Sequence, residues 1–325
     1  MTRIGEHDDL GTLVQVAANH LGVSRLMVEK DYWVTETLRE LVRGHSGQFV
    51  FKGGTSLFKC FDIARRFSED IDVLLNDTFV TGGERERGMK AMQATVVGAL
   101  PFTARTATSK RGVYRPVYLQ WPRPAWDAGG TLTGVAPEIL LEMGTRGATA
   151  PVLVRPVLSM LVQALIDIDP EAARDFLPEH DRTPFEVDAL HPGRTLVEKL
   201  LLLLGRAEAL AEHRIAAMPA RQGRHIFDVI ELLNHDLVRE FLSNRDEFLS
   251  AVQHAQEVSA EYWGDGTCRP DGGFAVSLLL TGGPAVDDAF ANALNTDLPG
   301  MLMGDQTVPA LEAFRNLLIE LAEYL

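Results

Sequence analysis

Apolar residues in the first half of the chain follow two different spacings. Those that recur every three or four residues predict helices, and those that alternate with polar residues predict strands. The strand around Pro116 is expected at an edge or a bulge, because proline cannot donate a ladder hydrogen bond. The spacings predict helices at 8–21, 24–43 and 84–99 and strands at 49–51, 70–75, 113–121 and 138–143.

The second half of the chain, from about residue 160, has helical spacing that continues to the end. Its leucine run at 200–204 is too short to cross a membrane and predicts a buried helix. The pattern predicts a mixed domain at 1–160 and a helical domain at 161–325, and 325 residues are enough for two domains. Residues 236–325 carry no motif and are expected to form the far wall of a cleft or a partner contact.

The segment 48–75 combines a strand, a glycine turn, a helix and a second strand. The first strand runs into Gly53 and Gly54, and Thr55 and Ser56 then begin the helix. Glycines at such a turn let the backbone approach a ligand, and the N–H groups of a helix start attract phosphate. These four residues are therefore candidates for binding phosphate groups.

Lys59 follows in what the pattern predicts to be the first turn of that helix. The helix macrodipole disfavours a cation in this position. An anion bound by Lys59 would explain it better, so Lys59 is also a candidate phosphate ligand.

Acidic residues stand at the start of the second strand of this segment. Asp70 and Asp72 are two apart, so both side chains point to one face while Ile71 points into the core. Two adjacent carboxylates need a cation between them, and hard oxygen ligands beside a phosphate site indicate Mg²⁺ or Mn²⁺. A second ion would need a third acid, and either Glu138 or Glu142 could supply it, since they share a face of a neighbouring strand.

Charge is distributed unevenly along the chain. The net charge of −14 argues against a general nucleic-acid coat protein. Residues 101–126 nevertheless contain no acid, and they carry Arg105, Lys110, Arg111, Arg115 and Arg123 together with Tyr114, Tyr118, Trp121 and Trp126. Such a segment suits phosphate contacts and base stacking, and it equally suits an ordinary strand with one wet face and one packed face.

Targeting and redox signals are few. The first residues lack the apolar core of a signal peptide, and no apolar run reaches the length of a membrane span. Cys60 and Cys268 are too far apart for a metal motif or a disulfide framework. The sequence therefore predicts a cytoplasmic protein with no membrane partner.

Two of these stretches carry a family resemblance. KGGTSL at 52–57 and RFSEDID at 66–72 resemble the signature of the DNA-polymerase-β-like nucleotidyltransferases, and most of all the AbiEii/AbiGii-type toxins of bacterial toxin–antitoxin systems. EKDYWVT at 29–35 resembles the N-terminal helix of that family, but we favour the interpretation that this helix packs on the sheet with its charges solvated or paired. The resemblance implies an α+β fold, with a small mixed sheet and helices followed by a helical C-terminal domain.

The resemblance also assigns roles to individual residues. LLEMGTR at 140–146 matches the strand that carries the third acid, so Glu142 is selected as a metal ligand with Asp70 and Asp72, and Glu138 is the fallback. Arg66 would bind the nucleotide. Lys199 would contact the triphosphate, and Asp228 would orient Lys199 or an arginine, or accept a proton from the attacking hydroxyl. His225 would lie near the phosphates.

The implied activity is transfer of a nucleoside monophosphate from an NTP, with CTP and UTP as the candidates, to the 3′ acceptor end of tRNA. The implied cofactor is Mg²⁺ or Mn²⁺, and the implied partner is a cognate antitoxin. Two alternatives stay open. One is transfer to a protein side chain or a small molecule, which the acidic net charge favours. The other is a non-catalytic module that binds a nucleotide or a partner protein.

Overall fold

A computed structural model describes residues 3–68, 70–122, 138–264 and 266–325 of the chain. Seven of its strands form one mixed sheet in the order β3-β4-β5-β2-β1-β7-β6. The strands are β1 (Phe49–Lys52), β2 (Asp70–Leu75), β3 (Thr103–Thr106), β4 (Tyr114–Gln120), β5 (Ile139–Gly144), β6 (Val152–Val157) and β7 (Phe185–Leu190).

Helices flank the sheet and make up most of the second half of the chain. Those of the first half are α1 (Leu10–Leu21), α2 (Arg25–His45), α3 (Gly53–Phe61) and α4 (Gly82–Ala99). The others are α5 (Met160–Ile168), α6 (Pro170–Phe176), α7 (Glu179–Arg182), α8 (Pro192–Ala211), α9 (Gly223–Asn234), α10 (Asp236–Ser243), α11 (Arg245–Trp263), α12 (Leu278–Thr281), α13 (Gly283–Asp297) and α14 (Leu311–Glu320). Short 3₁₀ helices lie at Ile4–Glu6 and Phe274–Val276.

The centre of the sheet is built from β1, β2 and β5. β1 runs antiparallel to β2, and β2 runs parallel to β5. Strand alternation puts the apolar residues of β5 into the core, and it leaves Glu142 half-buried on the other face. That second face carries the acids, and α8 and α9 close over it.

The predicted helices of the first half are present with local signals at their ends. Ser24 caps α2 by accepting a hydrogen bond from the Met27 N–H. Thr81 and Glu84 form a capping box at the start of α4. The mixture of a seven-stranded sheet with these helices confirms the predicted α+β class.

The expectation that the chain stays helical beyond residue 160 is wrong at one strand. β7 pairs in parallel with β1 and antiparallel with β6, so it is part of the central sheet. It alternates, with Val187 and Ala189 buried and Glu186 and Asp188 outward. A run of only six residues between helical stretches gives too weak a period-2 signal to stand out. The domain boundary at 160 stays a prediction.

Pro116 was expected at an edge strand or a bulge, and the first alternative is wrong for β4 as a whole, because β4 lies between β3 and β5. The short strand β3 ends at Thr106, opposite Val117, so Pro116 lies one residue beyond the paired part of β3. There its carbonyl accepts a hydrogen bond from the Ala107 N–H. Because this is the end of the ladder, the missing N–H of Pro116 leaves only the return bond to Ala107 unmade.

Within the described residues, no single helix is long and apolar enough to cross a bilayer. One bent pair, Phe274–Thr281 with Gly283–Asp297 at 82°, meets the length and composition criteria together.

Candidate active site

The glycine turn and the acid pair lie against each other. Gly53 begins α3 with a φ of +81°, a conformation that only glycine adopts without strain. A Cβ added to Gly53 would lie 2.1 Å from Oδ2 of Asp72, so no side chain fits between the turn and the carboxylate. The two halves of the predicted site therefore share one cleft.

The hydroxyls of the turn are bonded within the protein. Thr55 donates to the carbonyl oxygen of Asp70 and accepts from Oγ of Ser68, 3.0 Å away. Ser56 donates to the carbonyl oxygen of Gly53 at 3.0 Å. Both side chains are buried; Thr55 fixes the turn to β2, and Ser56 holds the turn itself in shape. The first turn of α3 has no side-chain cap, so its backbone N–H groups are the groups best placed to bind phosphate.

Strand register brings the third acid beside the first two. In the β2–β5 pair, Asp72 is opposite Glu142 and Asp70 is opposite Leu140. The fallback acid, Glu138, lies 3.5 Å from Arg105 instead. The structure thus brings together Asp70, Asp72 and Glu142, named here the acid triad, and their role as metal ligands stays a prediction.

The acid triad carries more negative charge than its neighbours offset. Burial, Glu142 and Asp70 raise the pKa of Asp72 to about 7, although Lys52 opposes the shift. The hydroxyl of Tyr114 donates to Oε1 of Glu142. Burial and this contact raise the pKa of Tyr114 above its usual value, so Tyr114 keeps its proton and remains a donor.

The donor set suits a hard divalent cation, because all three side chains of the acid triad offer carboxylate oxygens. In the parts of the chain that the structure describes, no three or more His, Cys, Asp or Glu side chains are already arranged as a metal cage. Glu142 is close enough to Asp72 to raise its pKa. A cation at the triad would replace the proton that this raised pKa favours.

A second charged cluster lies on the helical side of the cleft. Arg66 binds Asp228 through two hydrogen bonds of 2.6 and 2.7 Å, and Nζ of Lys199 lies 2.8 Å from the same carboxylate. Lys199 also donates to Nδ1 of His225 at 3.0 Å. Nη2 of Arg66 lies 2.7 Å from where a Cβ of Gly54 would stand, so the cluster borders the glycine turn. Arg66, Lys199, His225 and Asp228 are named here the Asp228 cluster.

Electrostatics decide between the two roles predicted for Asp228. Burial alone would raise the pKa of Asp228, but Arg66 and Lys199 outweigh it and hold that pKa well below its usual range. A carboxylate of this kind is a poor proton acceptor. The contacts instead favour the orienting role, in which Asp228 positions both Lys199 and Arg66.

Burial affects the protonation of Lys199 and His225. Burial lowers the pKa of Lys199, although Asp228 opposes the shift. Burial and Lys199 lower the pKa of His225 to about 2, so His225 is neutral. Because its Nδ1 accepts from Lys199, the proton of His225 is on Nε2.

The placement of Lys59 was predicted wrongly. Lys59 lies in the last turn of α3, where the macrodipole favours a cation. Its Nζ is 2.6 Å from Oδ1 of Asp31 and donates to Thr35 at 2.7 Å. The pairing with Asp31 removes the reason for assigning Lys59 a phosphate. It also agrees with the interpretation that this helix packs inside the fold, since Asp31 is buried and paired.

Three residues near the site had no predicted role. Lys52 is opposite Asp72 in the β1–β2 register, and its Nζ donates to Glu198 at 2.8 Å. Burial would lower the pKa of Lys52, but Glu198 and Asp72 raise it overall. Arg224 lies 3.8 Å from Oδ2 of Asp70. The third is Tyr114. Lys52 belongs to the KGGTSL stretch quoted above and Arg224 directly precedes His225, whereas the contact of Tyr114 required the register of β4.

A cavity of about 450 Å³ opens beside the glycine turn. Its wall near the turn is formed by Lys52, Gly53, Lys199 and His225. Arg194, Thr195 and Arg206 of α8 and His254 of α11 line the rest, with Arg146 at the loop after β5. A larger cavity of about 820 Å³ is lined by Lys59 and Cys60 but by neither Gly53 nor Lys199. The smaller cavity is therefore the one connected to the site.

Only part of the basic segment, residues 101–126, lies on the surface of the protein. Arg105 stacks over the ring of Tyr118 at 4.1 Å. Trp121 is buried, and its Nε1 donates to Glu29 at 3.2 Å, so it packs against the fold. Arg123 and Trp126 lie outside the described residues, as does Glu69 of the acidic motif.

A glycine turn that begins a helix, an Asp-x-Asp strand and a third acid lie together on one mixed sheet, which is the arrangement that the resemblance to nucleotidyltransferases predicted. A family profile described as "Nucleotidyl transferase AbiEii toxin, Type IV TA system" matches residues 38–318, and the chain belongs to this AbiEii family. It is a nucleotidyltransferase toxin of a toxin–antitoxin system, with an NTP as substrate and an antitoxin as partner.

Comparison with solved structures identifies a protein of similar fold. MenT4, a nucleotidyltransferase toxin from Mycobacterium tuberculosis H37Rv, is similar with a TM-score of 0.53 and 16% sequence identity. The alignment covers 96% of this chain and 88% of MenT4. At this identity the match shows a shared fold. A search of curated proteins finds no match.

Proposed function

We propose that this protein transfers a nucleoside monophosphate from an NTP to the 3′ acceptor end of tRNA and releases pyrophosphate. The contact between Gly53 and Asp72 supports this most directly, because it puts a phosphate-binding turn and a set of carboxylates in one cleft. Nucleotides added to the acceptor end would block aminoacylation and stop translation. Both substrates are cytoplasmic, which is where we propose that the protein acts.

The phosphates would bind at the start of α3. The N–H groups of Gly53 and Gly54 would contact the β- and γ-phosphates, and Thr55 and Ser56 would keep the turn in shape. Arg66 and Lys199 would offset the charge of the departing pyrophosphate, since Asp228 holds both cations beside the turn.

The acid triad would hold Mg²⁺ or Mn²⁺. When bound, the ion would supply positive charge that stabilises the transferring phosphoryl group. The 3′ hydroxyl oxygen forms a bond to the α-phosphorus, and the bond from that phosphorus to the pyrophosphate oxygen breaks. The hydroxyl proton passes to a carboxylate of the triad.

The choice of tRNA rests on the family resemblance and on local charge. The β3–β4 hairpin next to β5 carries cations although the chain is acidic overall, and Arg105 and Lys110 are exposed there. Such cations suit contacts with an RNA backbone. The net charge of −14 favours a second candidate, in which the acceptor is a protein side chain or a small molecule.

The test is transfer of label from each α-labelled NTP to total RNA and cell extract, with and without RNase. We expect an RNase-sensitive product, and sequencing should place the added nucleotides at tRNA 3′ ends. Asp72→Asn should lower transfer by about a thousandfold or more, because it removes the carboxylate that faces the turn. Glu138→Gln is the matched control and should retain activity, since that acid pairs with Arg105. An RNase-resistant product would reject tRNA as the acceptor, and equal activity of the two variants would reject the acid triad.

A further inference from the structure

The last turn of α3 is held by a buried ion pair that no step of the proposed reaction uses. Nζ of Lys59 lies 2.6 Å from Oδ1 of Asp31, and the two side chains are 2% and 4% exposed. Burying two charges costs about as much as their attraction returns, so such a pair adds little net stability. Stability alone is therefore a poor explanation for the pair, and its place in the fold supplies a better one.

The carboxylate of Asp31 joins three helices. Asp31 belongs to α2, and its partner Lys59 belongs to α3. Its second oxygen, Oδ2, accepts a hydrogen bond of 2.7 Å from the N–H of Met160, which is the first residue of α5. Lys59 also donates to Thr35, again on α2, at 2.7 Å. The end of α3 is therefore fixed to both α2 and α5.

Two parts of the site depend on where α3 lies. The N–H groups proposed to bind phosphate lie in its first turn, which begins at Gly53. Beyond its last turn the chain turns back through Asp62 and Ala64, both at positive φ (53° and 56°), to reach Arg66 of the Asp228 cluster. Backbone in that region persists only where surrounding contacts fix the chain. Lys59 lies between these two parts of the site in the sequence.

The length of α3 shows why its far end matters to the turn. The first turn is fixed to β2 by the hydrogen bond from Thr55 to the carbonyl oxygen of Asp70. At about 1.5 Å per residue, this nine-residue helix is about 13 Å long, so a tilt of about 5° displaces one end relative to the other by about 1 Å. A misplacement of about 1 Å in a group that positions a substrate can cost about a hundredfold in rate.

We propose that Asp31 is a positioning residue, which fixes the tilt of α3 through Lys59 and so aims the N–H groups of the glycine turn at the phosphates of the NTP. Asp31 contacts neither the substrate nor the metal in this role. The acid triad lies on β2 and β5, so the pair should affect phosphate binding and leave metal binding unchanged. This inference deepens the proposed function and rests on it for phosphate as the ligand of the turn.

Removing one partner and removing both partners separate position from stability. Lys59→Met leaves the Asp31 carboxylate buried without its cation and should lower the Tm by roughly 5–10 °C. Asp31→Asn combined with Lys59→Met leaves neither charge of the pair, and the amide oxygen at position 31 can still accept from Met160. This double variant should regain at least half of the lost Tm, although the tie between the helices stays broken.

Equilibrium binding of inorganic tripolyphosphate to the full-length protein measures the position of the turn without relying on transfer. We expect Lys59→Met and the double variant to bind tripolyphosphate and each NTP about fivefold or more weakly than the wild type. Lys59→Arg keeps a cation opposite Asp31 and should stay within about twofold of the wild type. The affinity for Mn²⁺ alone should be the same in all four proteins.

Another buried ion pair of α2 provides the matched control. Nε of Arg3 lies 3.0 Å from Oε2 of Glu36, and its Nη1 donates to the carbonyl oxygen of Ala99 at the end of α4. Arg3→Gln thus removes a cation from a buried carboxylate of the same helix without breaking the tie to α3. It should lower the Tm and leave the affinity for tripolyphosphate unchanged.

Each other outcome contradicts the proposal. A double variant that regained both its Tm and the wild-type affinity for tripolyphosphate would show that the pair serves stability alone. Equal weakening in Arg3→Gln, or loss of Mn²⁺ binding in Lys59→Met, would indicate general damage to the fold. If the wild type bound neither tripolyphosphate nor NTP, the phosphate site and this inference would both fail. If the affinities are as expected but no tRNA is labelled, the positioning role stands and the proposed transfer to tRNA fails.

Discussion

The acid triad and the Asp228 cluster face the same cleft, and their buried carboxylates have opposite electrostatics. Asp72 has two acidic neighbours, and its pKa is raised to about 7 by burial and by those neighbours. Asp228 is neutralised by Arg66 and Lys199, and its pKa lies well below the usual range. The negative charge of Asp72 is not neutralised by its neighbours, whereas that of Asp228 is.

This difference indicates different roles: the acid triad needs a ligand, whereas the Asp228 cluster holds its own side chains in place. A carboxylate with an unmet need for positive charge destabilises the fold, so its presence is best explained by a cation or substrate that arrives later. Asp228 needs nothing further, because three of its contacts are already made within the protein. Its value to function is that it fixes a lysine and an arginine beside the glycine turn.

The largest effect on stability is expected at Asp228. Asp228→Asn leaves Arg66 and Lys199 buried without their carboxylate, so the free energy of unfolding at pH 7 should fall by about 3–5 kcal/mol. Because the pKa of Asp228 is lowered, its contribution is complete above the usual pKa of 3.8 and is lost only as the pH falls below it. Urea unfolding followed by circular dichroism measures the loss.

A neighbouring ion pair supplies the control for that measurement. Arg65 and Asp62 form a similar contact of 2.6 Å, but both side chains are largely exposed. Asp62→Asn should change stability far less, since exposed pairs are screened by solvent. If both variants lost the same free energy, the Asp228 cluster would not be the buried, internally satisfied unit described above.

The second effect should have the opposite sign. The raised pKa of Asp72 means that its ionisation costs the folded state nothing below about pH 4, costs progressively more as the pH rises, and costs the full amount above about pH 7. Asp72→Asn removes that cost. We expect its Tm to exceed that of the wild type by roughly 2–4 °C at pH 8, and by less at pH 5.

Thermal melts in metal-free buffer at the two pH values measure this gain. Glu138→Gln, which changes an acid already paired with Arg105, should show no gain at either pH. A Tm for Asp72→Asn below that of the wild type at pH 8 would mean that the triad stabilises the fold, and the comparison with Asp228 would fail.

How far the sequence predicted this site depends on the range of the contacts. Periodicity placed the acids at 70 and 72 on one face, and the turn at 53–56 lies in the same short segment, so we expected the two to share a site; the structure shows that they meet. The choice of Glu142 over Glu138 came from the family resemblance, and the β2–β5 register agrees with it. The α+β class also came from the resemblance.

Long-range pairing caused the failures. The role of Lys59 was predicted from its position on α3 alone. Lys59 was placed in the first turn because the helix was assumed to begin later than Gly53. Its partner, Asp31, belongs to α2, which no local pattern connects to α3. β7 was missed for a similar reason, since its place beside β1 depends on packing across more than a hundred residues of sequence. Residues that act through distant partners are visible only in the fold.

The smallest effect should come from Tyr114, which contacts the acid triad without being part of it. Its hydroxyl donates to Glu142, so Tyr114→Phe removes a bond that positions one carboxylate and leaves all three acids in place. We expect kcat to fall by about threefold to tenfold, the cost of one hydrogen bond, with KM for the NTP unchanged because the phosphate-binding turn is not touched. Since the bond competes with a cation for Glu142, the variant should also reach half of its maximal rate at a lower Mg²⁺ concentration. Steady-state kinetics with the Mg²⁺ concentration varied distinguishes this role from a merely structural one. A loss of activity as large as that of Asp72→Asn would instead make Tyr114 part of the reaction.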